Sequence, residues 1–123
     1  MTDIATSLKE AMTINGALGA ALVDYDSGMT LGTQGGGPNL NLEVAAAGNT
    51  EVVRAKLNTM RQLGIDEQIE DILLTLGEQY HLIRPIRSRK GQGLFLYLAL
   101  NKAQANLAMA RRQLLLIEEQ LDI

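Results

Sequence analysis

Side chains able to do chemistry are few in this sequence, and they are scattered. His81 is the single histidine and cysteine is absent, which excludes thiolate nucleophiles, disulfides and cysteine-ligated metals. One histidine could serve a Ser–His–Asp arrangement, but no G-x-S-x-G nucleophile elbow accompanies it. A zinc site of the usual kind needs further His or Cys ligands. His81 falls inside a predicted strand and reads as a hydrogen-bonded structural residue. Asp24 and Asp26 flank Tyr25 beside a turn, where carboxylates commonly accept backbone hydrogen bonds. A metal there would need more oxygen ligands than the neighbouring sequence offers. The expectation is no catalytic residue, no metal ligand and no cofactor: not an enzyme.

The glycines invite a phosphate-loop reading that fails on spacing. No G-x-x-x-x-G-K-[ST] occurs, and Gly32, Gly35, Gly36 and Gly37 do not form G-x-G-x-x-G. They read as a flexible connection, and the chain is not itself a GTPase. Glu67, Glu70 and Asp71 form an acidic stretch that reads as the solvated entry to a strand. Arg84, Arg87, Arg89 and Lys90 concentrate positive charge at one strand end and loop. That segment suits a docking patch for an acidic partner, an arginine supplied to a GTPase active site, or a solvated hairpin loop, which is the simplest reading.

Composition limits the remaining classes. Apolar residues make up 46 % and charged residues 20 %, with a formal net charge of −3, so nothing draws the chain to nucleic acid or anionic membranes. The first residues lack the basic and apolar regions of a signal peptide. The apolar run from Leu94 to Leu100 is far short of the roughly 20 residues of a spanning helix. A soluble, cytoplasmic protein is expected, without membrane insertion, folded as one domain over residues 1–123. With one Phe, three Tyr and no Trp, its core must be aliphatic.

The elements follow from periodicity and breakers. Ile4, Leu8, Ala11 and Met12 share one face of a helix over Asp3 to Thr13, capped by Asp3. Gly16 and Gly19 open a strand to about Tyr25. The Asp26-Ser27-Gly28 turn returns a second arm from Met29 to Gln34. After Gly35-Gly36-Gly37-Pro38-Asn39, a helix from about Leu40 to Leu63 carries Leu42, Ala46, Asn49, Val53, Leu57 and Met60 in steps of three and four, and Gly64 stops it. Three strands are predicted next: Gln68 to Leu76, Gln79 to Ile86 and Gly93 to Leu100. Pro85 is awkward for an internal strand, whose paired part should end near Arg84 or bulge there. The last strand is apolar on both faces, so helices must cover both, giving three layers. Asn101 caps a final helix with the stripe Ala103, Leu107, Ala110, Leu114, Ile117 and Leu121.

The segment Gly16-Ala17-Leu18-Gly19-Ala20-Ala21-Leu22-Val23-Asp24, the Asp26-Ser27-Gly28 turn and the order αββαβββα resemble the roadblock/dynein light-chain family over nearly the whole chain. The resemblance implies an α/β (α+β) three-layer fold: a five-stranded, mainly antiparallel sheet with one long helix on one face and two terminal helices on the other. It also implies a homodimer, made by pairing third strands edge to edge with the central helices side by side. Family members scaffold or regulate small Ras-like GTPases, or serve as dynein light chains. By that analogy the dimer interface would use Ala45, Ala46, Asn49, Val53, Ile69, Asp71, Leu73 and Thr75. Partner binding would use Glu43, Glu51, Arg54 and Arg61. The residues are compatible with this. Ala45-Ala46-Ala47-Gly48 lets a second backbone approach, and a long apolar third strand invites aggregation unless paired. The alternatives are a nucleotide-independent structural subunit of a larger complex and a small-ligand sensor domain.

Overall fold

A computed structural model describes residues 1–88 and 91–123. Arg89 and Lys90, half of the basic segment, lie outside the described residues. The elements are α1 (Ile4–Ala11), β1 (Ala17–Asp24), β2 (Met29–Gly35), α2 (Leu42–Leu63), β3 (Ile72–Thr75), β4 (Gln79–Pro85), β5 (Leu94–Asn101) and α3 (Leu107–Gln120), the expected αββαβββα order. The strands form one antiparallel sheet in the order β2-β1-β5-β4-β3.

β5 is the centre of the sheet because its sequence is apolar in both registers of the pleat. Leu94, Leu96, Leu98 and Leu100 pack with Leu8 and Ala11 of α1 and with Ala110, Leu114 and Ile117 of α3. Phe95, Tyr97 and Ala99 face the other way, onto a cluster with Ala46 and Val53 of α2. Three layers result. Each fully buried Leu, Phe or Val contributes about 1.5–3 kcal/mol relative to solvent exposure, so β5 is the principal hydrophobic anchor of both interfaces.

Two elements, β3 and the last helix, differ in extent from the sequence reading, each for a local reason. β3 spans only Ile72–Thr75 instead of Gln68 to Leu76. Ile72 pairs with Ile83, so carrying the register back by two sets Glu70 opposite Pro85. Proline has no N–H to offer there, and pairing stops. Pro85 is itself the last residue of β4, which resolves its awkward position. The final helix starts at Leu107, not after Asn101. Asn101 is the last residue of β5, its Oδ1 accepts from Ala103 N–H in a turn at 3.0 Å, and Asn106 is the true cap, accepting from Met109 N–H at 3.0 Å. Ala103 is accordingly exposed and leaves the apolar stripe. The glycine run is also no slack tether. Gly35 and Gly36 have φ of 74° and 81°, and Gly36 N–H donates to Leu18 C=O at 2.8 Å. Together they form a defined left-handed turn into α2.

Candidate functional site

An incompletely covered part of the surface lies between α2 and the β3 edge, and α2 sets its shape. Asn41 caps the helix, its Oδ1 accepting from Glu43 and Val44 N–H at 3.0 and 3.1 Å. Gly64 closes it in the left-handed conformation at φ 72°, as glycine does without steric cost. The buried stripe is Leu42, Ala46, Thr50, Val53 and Met60. It seats the helix over β1 and β2, and the same face of β3 and β4 is left only partly covered. Ile72, Leu74 and His81 are there half-buried.

Beside this half-bare face the sheet ends in an unpaired strand. Leu76 N–H donates to Gln79 C=O at 2.8 Å. This fixes the parity of the β3–β4 ladder: Ile72 and Leu74 turn their peptide groups toward β4, and Leu73 and Thr75 turn theirs to the open edge. The groove along the flank of α2 above it is two hollows, one lined by Val52, Ala55, Lys56, Thr59, Ile69, Asp71 and Ile72, the other including Ala45, Gly48, Asn49, His81 and Tyr97. Ala45, Gly48 and Ala55 are small enough for another backbone to approach, and Lys56 and Asp71 place charge at one end.

The residues expected at a dimer interface divide into three groups. Ala45 and Asn49 are half-buried on the groove flank, and Leu73 and Thr75 stand on the open edge. Ala46 and Val53, by contrast, are 0 % exposed within the single chain; one helical step round from the groove, they belong to the protomer's own core. Ile69 and Asp71 precede β3 instead of lying in it. Asp71 is engaged by a bidentate pair from Arg111, Nε to Oδ2 at 2.8 Å and Nη2 to Oδ1 at 2.6 Å. That pairing raises the Arg111 pKa above its ordinary value. Glu67, Glu70 and Asp71 are thus not uniformly solvated: Asp71 ties the segment before β3 to α3.

Glu43, Glu51, Arg54 and Arg61 are all exposed. At their helical spacing they share one stripe, on the flank opposite the groove. Glu43 marks its location by accepting from Thr30 Oγ1 of β2 at 3.1 and 3.3 Å. Of the basic segment, Arg84 is not a surface group. It is 5 % exposed, and its Nε lies 2.5 Å from Glu118 Oε1. Glu118 also accepts Arg87 N–H at 3.0 Å. This buried pair could not be read from the sequence, because its partners are far apart in the chain and only the packing of α3 on β4 unites them.

His81 sits in the groove within a polar chain. Its Nε2 is 2.7 Å from Gln79 Oε1 and its Nδ1 is 3.2 Å from the Tyr97 hydroxyl, with the Tyr97 ring edge-on at 89°. Burial lowers the His81 pKa below its ordinary value. Burial also raises that of Tyr97, partly offset by the nearby Asn49 side chain. Among the described residues no group of acidic, histidine or cysteine side chains is placed to hold a metal ion. Asp24 is used locally, accepting from Asp26 N–H at 2.8 Å. No described helix is long and apolar enough to cross a membrane.

No family model and no curated protein matches the sequence. The architecture does match solved structures, and it is a roadblock fold. A roadblock/LC7 domain from Streptomyces avermitilis superposes with a TM-score of 0.79 at 13 % identity, covering 96 % of this chain and 93 % of that one. MglB from Myxococcus xanthus gives 0.73 at 16 % identity, covering 93 % and 77 %. The gliding protein MglB from Thermus thermophilus gives 0.69 at 18 % identity, covering 94 % and 88 %.

Proposed function

We propose that this chain is a single-domain, cytoplasmic, non-enzymatic scaffold that works as a homodimer and regulates or docks a small Ras-like GTPase or a related signalling protein. One observation carries the dimer: the open β3 edge beside a sheet face that α2 leaves half-bare. An edge with free peptide groups at Leu73 and Thr75 is complementary to itself about a two-fold axis. Two copies joined there would extend both sheets, and the α2 helix of each would roof the half-buried Ile72 and Leu74 of the other. The groove's small residues, Ala45 and Gly48, suit that close approach.

Partner binding falls to the other flank of α2. Glu43, Glu51, Arg54 and Arg61 stay exposed when the groove is filled, so dimerisation and docking do not compete. The GTPase class of the partner rests on the family resemblance and on the likeness of fold to MglB. The test is affinity capture from native lysate with GDP or a non-hydrolysable GTP analogue, read by mass spectrometry. Retention of a small GTPase in one nucleotide state supports the regulator. Capture of other proteins irrespective of nucleotide supports the structural subunit instead.

A further inference from the structure

His81 is the one group in the groove that changes charge near neutral pH, and it stands where a second copy would close. We propose that His81 is a proton-sensitive latch of the dimer face: two protomers close over the neutral imidazole, and its protonation drives them apart. The inference rests on the dimer reading above and adds a control to it.

The contacts around the ring suit the neutral form. Gln79 Oε1 is an acceptor, which assigns the single proton to Nε2 at 2.7 Å; Nδ1 then accepts from the Tyr97 O–H at 3.2 Å. A second proton on Nδ1 would face that hydroxyl hydrogen and force it to turn away. No compensating charge is at hand among the described residues. Gln79 on β4 and Leu74 opposite on β3 are uncharged. Tyr97 on β5 is the titratable neighbour, and burial holds it in its neutral form. From α2, Ala45, Gly48 and Asn49 line the same hollow as the ring. The α2 carboxylates Glu43 and Glu51 belong to the opposite flank, and Lys56 sits further along the groove beside Ile69 and Asp71.

The sign of the linkage follows from burial. Burial already lowers the His81 pKa in the single chain, with no charged neighbour contributing. A second α2 laid over the groove removes more water and must lower it further. The dissociated chains therefore bind protons more readily than the dimer does. The stabilising effect is complete above the dissociated chain's value, itself below the ordinary histidine value of about 6.5, and is lost as pH falls through the still lower value of the dimer.

Sedimentation equilibrium of the full chain at pH 7.5 and 5.5 tests this, with His81→Gln alongside. The dimer dissociation constant is expected to rise about tenfold on acidification, both copies contributing, and to stay flat in His81→Gln. Calorimetric dilution of the wild-type dimer at pH 6, in two buffers of different ionisation enthalpy, reads the same protons without a variant. Uptake on dissociation supports the latch. A dimer at pH 7.5 whose affinity ignores pH, or whose pH response survives His81→Gln, overturns the latch and leaves the dimer standing. A monomer at pH 7.5 at every concentration overturns both.

Discussion

Replacing Glu118 with alanine would leave the Arg84 guanidinium with no counter-ion inside the α3–β4 interface. The two side chains are 6 % and 7 % exposed, with the ion pair closed at 2.5 Å. Water therefore cannot substitute for the lost carboxylate. Breaking such a pair from one side costs about 3–5 kcal/mol, because the remaining charge is buried and uncompensated. The Arg87 N–H, which donates to the same carboxylate at 3.0 Å, adds about 1 kcal/mol if it finds no other acceptor. In a domain of this size that corresponds to a loss of roughly 10–20 °C in melting temperature. The paired replacement Arg84→Met with Glu118→Leu removes both charges together and should fall within about 1 kcal/mol of wild type, or above it. Urea denaturation followed by circular dichroism on Arg84→Met, Glu118→Leu and their combination closes the cycle, with Glu118→Ala measured alongside. A Glu118→Ala cost below about 1 kcal/mol would refute the reasoning, since it would mean that solvent reaches the pair and that α3 is held by its apolar stripe alone.

Two other perturbations isolate the turn and the docking stripe. In Gly36→Ala the new methyl would sit 2.8 Å from Leu40 C=O in a backbone at φ 81°, a cost of about 1–3 kcal/mol. The neighbouring Gly37→Ala meets nothing within 4 Å and should be neutral within about 0.5 kcal/mol, so equal denaturation midpoints for the two would count against the turn described. Charge reversal at Arg54 and Arg61 should weaken the captured partner by about tenfold or more while the dimer mass is unchanged, and an unaltered affinity removes this stripe from the docking face.

The fold was legible in the sequence wherever a pattern was local. The α2 stripe and its Gly64 stop, the Asp26-Ser27-Gly28 hairpin and the doubly apolar β5 all carry their reasons within a few residues. Boundaries set by a neighbour were less legible. The late start of β3 depends on Pro85 two strand positions beyond Ile83, and the choice of Asn106 over Asn101 as helix cap depends on where β5 stops pairing. The family analogy named Leu73 and Thr75, which stand on the open edge of β3, together with Ala46 and Val53, which the protomer's own core takes; small residues on α2 do not announce which flank they occupy. His81 is the hydrogen-bonded strand residue expected, set between Gln79 and Tyr97, but its position beside the α2 flank has no local sequence signature because α2, β4 and β5 form it together.

The central claim is that β3 is the edge through which two copies join, and Thr75→Pro tests it most directly. Thr75 is exposed and its N–H points away from β4. Proline there removes an outward donor while keeping the β4 ladder, a placement that edge strands tolerate. Analytical ultracentrifugation at neutral pH should show the wild-type chain at twice its 13.3 kDa mass and Thr75→Pro at the single mass with a near wild-type urea midpoint. A Thr75→Pro chain that remains dimeric, with unchanged affinity, would contradict the account.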